Sequence, residues 1–169
     1  GRVVAGAGYA YGNSYALPFE KFFYAGGANS LRGWQSRSVG PGCAPIDSTF
    51  SIANQSGDMR MEANLEFRFP MFWKLQGALF ADAGNIWNIK RESLPQTERD
   101  ADGLFSFANL GKSIAVDWGL GLRLDFNLLL VRLDLGIKAY NPVTQQWHSP
   151  KMWFDKGGYA FHFGIGYPF

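Results

Sequence analysis

Arg32 is the residue in this chain best placed by type to do chemistry. It sits in a glycine-rich connection, reached through Phe22-Phe23-Tyr24-Ala25-Gly26-Gly27, followed by Gly33 and Trp34, and left through Gln35 to Gly42. A guanidinium is planar, permanently charged and able to grip a carboxylate with two parallel hydrogen bonds. Loop composition alone suits a solvated surface arginine, since loops run over surfaces by default. The competing reading is that Arg32 points into an enclosure built by the strands that follow it. Other reactive types do not converge. His148 and His162 are far apart, no Ser/His/Asp set has useful spacing, and Asp47, Asp58, Asp100 and Asp102 lie in connections without a calcium-loop pattern. Cys43 is alone, so it makes no internal disulfide, and no Cys/His cluster has metal-ligand spacing. The expectation is a non-enzymatic protein without metal or cofactor.

The elements that must position Arg32 are strands. Charged residues are only 18% of the 169, whereas aromatics reach 17% and glycines number 21. That balance suits antiparallel sheet with tight turns better than a helical bundle. A net charge of +2 gives no electrostatic footprint for nucleic acid. No apolar run is long enough for a membrane-spanning helix, and the opening Gly1-Arg2-Val3-Val4 reads straight into strand without a signal peptide. Gly6 and Gly8 do not make a dinucleotide fold, because Tyr11 holds the third glycine position and no helical segment follows.

Residues 2–12 read as a first strand, and the long connection 13–57 carries Arg32. Strict alternation then runs from Asp58 to Phe69, with Arg60, Glu62, Asn64, Glu66 and Arg68 on one face and Met61, Ala63, Leu65, Phe67 and Phe69 on the other. A helix, with its 3.6-residue period, cannot sort residues in this way. A turn over 70–74 leads to a strand at 75–87, where Gln76, Ala78, Phe80, Asp82 and Gly84 share a face. A polar connection, 88–112, precedes the strand 113–126. The turn 127–129 leads to a strand at 130–140, the connection 141–158 follows, and 159–169 is the last strand.

Short turns and long loops alternate, so an up-and-down meander puts all the long loops at one end. The strands are about as long as a tilted strand crossing a bilayer must be. A soluble sandwich alternates too, and pattern alone cannot separate it from a barrel with lipid outside. The aromatics favour the barrel: Phe69, Phe72, Trp73, Phe126, Tyr167 and Phe169 gather at the short-turn end, with Trp87, Tyr140 and Tyr159 at the other, as two interfacial girdles. The fold expected is an all-β, antiparallel, up-and-down transmembrane β-barrel, of which this chain supplies about six strands.

These residues resemble the BamA/TamA superfamily of outer-membrane assembly and translocation barrels, also called the bacterial surface antigen family. Phe23 to Trp34 is similar to that family's long sixth extracellular loop, with its apolar-Arg-Gly-aromatic motif at Leu31-Arg32-Gly33-Trp34. Phe80-Ala81-Asp82-Ala83-Gly84 matches the Phe/Gly-x-Asp-x-Gly motif of the strand that the loop touches, and Leu65-Glu66-Phe67 the glutamate-bearing strand between them. The final eight residues, with His162, Gly164, Gly166, Tyr167 and Phe169, fit the terminal assembly signal of outer-membrane barrels. The wording is most similar to Bacteroidetes TamA-like or BamA-like proteins.

The resemblance implies that residues 1–169 are the C-terminal part of a barrel domain of about sixteen strands, preceded by further strands and periplasmic POTRA repeats. It implies that Arg32 reaches inside to Glu66 and Asp82, that Gly33 lets the backbone turn, and that Trp34 packs the loop against the wall. It implies a location in the bacterial outer membrane and insertion of β-barrel proteins through a seam at the last strand. A polypeptide translocation pore of the two-partner-secretion or TamA type is the alternative, and a passive porin-like channel the second. The implied partners are outer-membrane lipid and lipopolysaccharide, client β-barrel or secreted polypeptides, the preceding parts of the same protein and accessory assembly proteins, with no nucleic acid.

Overall fold

The computed structural model describes residues 1–10, 17–45, 55–90, 100–126 and 129–166. Alternating sequence becomes long antiparallel strands. β1 (Arg2–Ala7) pairs with β2 (Met59–Phe72), β2 with β3 (Leu75–Trp87), β3 with β4 (Ala115–Asp125), and β4 with β5 (Leu130–Asn141). β5 then carries the two-residue β6 (Gln146–Trp147) at its end and β7 (Tyr159–Ile165) along its length. A short helix, α1 (Leu110–Ser113), precedes β4. The result is one open, up-and-down sheet, with β1 and β7 at its edges among the described residues. β2 to β5 run 14, 13, 11 and 12 residues, enough to cross a bilayer at a tilt.

The two faces are inverted relative to a soluble protein. Charge is buried on the concave face, where Glu62, Asn64, Asp82, Asp117, Arg123, Arg132 and Asp134 are almost wholly inaccessible. Large apolar side chains stand on the convex face, with Leu65 and Phe67 each 66% exposed and Phe161 and Phe163 close behind. A sandwich does the reverse, hiding its apolar face in the core. An apolar outer wall around a polar interior is the arrangement of a membrane barrel. A cluster of buried apolar side chains, Ala25, Leu31, Trp34, Val39, Ile86 and Ala115, lies inside the wall, where the loop meets β3 and the start of β4.

Several boundaries differ from the sequence reading. β1 ends at Ala7 rather than at residue 12. β2 runs through Pro70 to Phe72, leaving Trp73 and Lys74 as the turn. Pro70 is accommodated by a register shift between Pro70 and Phe72, since proline brings no ladder donor and is tolerated at a bulge. The fourth strand starts two residues late because α1 occupies its expected beginning. β6 was not expected, being too short to carry a periodic signal.

The long-loop girdle is also corrected. Trp87 and Tyr140 are buried rather than exposed: the Trp87 indole N–H donates to Ser113 Oγ at 3.0 Å, and the Tyr140 hydroxyl donates to the Lys112 carbonyl at 3.1 Å. Buried Trp and Tyr need such partners for their polar tips, and α1 provides them. Tyr159 is exposed as expected, and at the short-turn end Phe69, Phe72, Trp73 and Phe126 are exposed. Tyr167 and Phe169 lie outside the described residues.

Candidate functional site

The loop from Ala25 to Gly42 folds back inside the concave wall. Gly26 and Gly27 adopt φ of 99° and 102°, a backbone region that favours glycine. They allow a tight turn in which the Gly27 N–H meets the carbonyls of Leu31 and Trp34 at 3.1 Å, and the Trp34 N–H donates to Leu31. The turn leaves Leu31 and Trp34 in the apolar cluster and projects Arg32 towards the sheet.

Arg32 grips Asp82 with a full fork. Its Nε donates to Asp82 Oδ2 and its Nη2 to Asp82 Oδ1, each at 2.8 Å, and its backbone N–H adds a third bond to Oδ2 at 3.2 Å. Its remaining terminal nitrogen, Nη1, donates to Glu66 Oε2 at 2.5 Å. The guanidinium carbon lies over the Phe80 ring, 3.6 Å from its centroid, an attraction that strengthens when the cation is desolvated. Arg32 is 1% exposed. Buried ion pairs hold only when their lone pairs and protons are satisfied, and here the fork, the amide and the ring all contribute.

The pair sits in a larger network. Glu66 also accepts from Arg68 Nε at 2.6 Å and Arg123 Nη2 at 2.9 Å, and Arg123 Nη1 lies 2.6 Å from Asp134. Asn64 donates to both Asp82 Oδ1 and the Ser30 carbonyl. Ser30 Oγ donates to Glu62 Oε1 at 2.5 Å and accepts from the Gly26 N–H, while Arg60 holds the other Glu62 oxygen. Asn85 donates to the Gly42 and Ser113 carbonyls, tying down the far end of the loop.

The sequence-derived residues therefore divide. Arg32, Glu66, Asp82 and Phe80 meet directly. Trp34 packs against the wall, with Lys138 Nζ 5.3 Å from its ring centroid. Gly33 gives close approach to β4, because a Cβ there would lie 2.5 Å from the Asp117 Cβ. Gly84 makes room for Glu62, whose Cγ would be 2.8 Å from an added Cβ. His162 and Gly164 lie on β7, but both also face the loop region, as detailed below. Gly166 follows β7 with φ of 95°, and its N–H donates to the Leu130 carbonyl. Sequence reasoning missed Ser30, Glu62, Asn64, Asn85, Arg123, Arg132 and Asp134 as network members. All but Ser30 and Asn85 stand on the polar parity of their strands, which is the signal that could have named them.

The Omp85 superfamily domain model matches residues 1–169. The chain belongs to the Omp85 superfamily. A segment of 85 residues is 33% identical to the outer membrane protein assembly factor BamA of Neisseria meningitidis serogroup B, covering 47% of this chain and 10% of that protein. The chain thus matches only a small part of the length of its curated relative.

In this Omp85 chain the chemistry on view is electrostatic. The network distributes charge among fixed partners and pins a loop. Among the described residues no group of three or more His, Cys, Asp or Glu could hold a metal ion. The Cys43 thiol, pushed up from its ordinary value by burial and by the neighbouring Asp102, is held toward its protonated form.

Proposed function

We propose that this Omp85 chain is the working end of an outer-membrane protein assembly factor, acting without covalent chemistry or cofactor in the bacterial outer membrane. The observation that carries this reading is the seating of the Arg32 loop inside the concave wall. A loop fixed there by a buried fork occupies space inside the wall, which favours a braced assembly barrel over a passive porin-like channel. The sheet edge at β7 remains as a place to work. Its outward side chains Phe161, Phe163 and Ile165 are apolar, and backbone groups bared there when the seam opens would be costly in lipid. An incoming β-barrel strand would satisfy those groups by pairing, and Gly164 and Gly166 keep the edge easily bent.

The partners in this reading are client β-barrel polypeptides, lipid and lipopolysaccharide around the convex face, the strands and POTRA repeats of the same protein, and accessory assembly proteins. A translocation pore remains the alternative; it requires the Arg32 clasp to let go so that a chain can pass.

The test is reconstitution of the full-length protein in lipid vesicles with an unfolded outer-membrane β-barrel as client. The expected result is faster client folding than in empty vesicles. Delivery of an unfolded polypeptide into the vesicle interior, with no gain in barrel folding, would support the translocator instead.

A further inference from the structure

Arg32 is held from two opposite sides. Its guanidinium is on Asp82 of β3 and Glu66 of β2. Its carbonyl oxygen lies 3.1 Å from His162 Nε2, on β7. A carbonyl only accepts, so Nε2 carries the proton in this contact. The carbonyl fits because β5 offers Gly136 there: an added Cβ would lie 2.1 Å from the Arg32 oxygen. One residue thereby links β2 and β3 to β7, strands separated in the sheet by β4 and β5.

A second contact has the same sense. Arg132 of β5 donates to Asn29 Oδ1 in the loop. Its side chain lies beside Gly164 of β7, where an added Cβ would be 2.5 Å from Arg132 Nε. The last strand therefore lacks a side chain at the point where an arginine passes to the loop. The β5–β7 ladder alone, from Val131 opposite Ile165 to Ile137 opposite Tyr159, would hold β7 regardless of where the loop sits. The side-chain contacts make the two interdependent.

We propose that His162 is a positioning residue that couples the seating of the Arg32 loop to the placement of β7, so that the strand edge loosens when the Arg32 carbonyl is released. The meaning of that movement for client assembly rests on the function proposed above; the coupling itself does not. Coupling of this kind is reciprocal: whatever loosens one site loosens the other by the same factor.

Hydrogen exchange on the folded full-length protein in lipid nanodiscs tests it in both directions without any client. His162→Leu should speed exchange of the loop amides of Gly27, Ser30 and Trp34, which are hydrogen-bonded in the seated turn, by roughly tenfold, the scale of one lost bond. The β2–β3 ladder should not change. His162→Gln, which keeps an amide donor, should return the loop amides towards wild type. Asp82→Asn, three strands from β7, should speed exchange across residues 159–165; if that variant fails to fold, Arg32→Lys, which keeps the carbonyl but loses the fork, takes its place. A His162 with a purely local role would raise exchange in β7 and leave the loop unchanged, which would overturn the proposal. So would an unchanged β7 in the Asp82 or Arg32 variant. Because neither readout involves client folding, a failure of coupling and a failure of the assembly reading are seen separately.

Discussion

Gly33 lies against Asp117 with no space between them: a methyl group on the glycine would sit 2.5 Å from the aspartate Cβ. The β4 wall therefore sets how deeply the loop can enter, and the residue after Arg32 must be the smallest available for the guanidinium to reach β2 and β3. Gly33→Ala should lift the loop and destabilise the folded barrel by about 1–3 kcal/mol, the usual cost of overpacking. Urea unfolding of the full-length protein in detergent, followed by the heat-dependent gel shift of folded barrels, measures it. Asp117→Gly in the same background should recover part of the loss, since it removes the atoms in the way.

Asp82 takes three donors from Arg32, two from the side chain and one from the backbone. Asp82→Ala strands a buried guanidinium, and loss of one member of such a pair costs about 3–5 kcal/mol when fully desolvated, less where lumenal water screens it. Limited proteolysis in intact cells should then cut the loop between residues 17 and 45. Unchanged protection in the variant would contradict the clasp.

Glu66 is shared by Arg32, Arg68 and Arg123, so its contribution is not separable from theirs. A double-mutant cycle of Arg32→Ala with Glu66→Ala should show non-additivity of about 0.5–3 kcal/mol. Additive losses would mean that Arg123 and Arg68 satisfy Glu66 without help from the loop.

How far the sequence reveals this arrangement depends on which physical property carries each feature. Period-2 alternation is a local property, and it located β2 to β5 and the side of the sheet on which Glu66, Asp82 and Arg123 stand. Register is not local. That Asn64 lies opposite Asp82, or Asp82 opposite Asp117, follows from turn geometry and bulges such as the one after Pro70. For this reason parity marks the face on which most of the wider network stands, but not which of its members meet. Ser30 and Asn85 were hidden differently, because each bonds to backbone or side chains brought near only by the folded loop. Trp87 and Tyr140 were misplaced because aromatic position along a strand does not say which way the ring faces once a short helix offers its polar tip a partner.

The convex face gives a prediction that separates bilayer from water. Leu120 is 49% exposed midway along β4. Leu120→Arg should cost about 2–4 kcal/mol when the protein folds into lipid vesicles, the depth-dependent cost of a cation on a lipid-facing wall. On a water-facing sheet the same change would be nearly neutral. A loss below about 0.5 kcal/mol in vesicles would mean that Leu120 does not meet hydrocarbon.

The most direct test of the assembly reading is depletion of the full-length protein in its own cell, with every outer-membrane β-barrel quantified by mass spectrometry. The account predicts that folded barrels fall across the board, and that restoring the protein with Arg32→Ala fails to bring them back. Barrels that hold their levels while one exported product or a small subset disappears would contradict it, and would make this Omp85 chain part of a dedicated translocator.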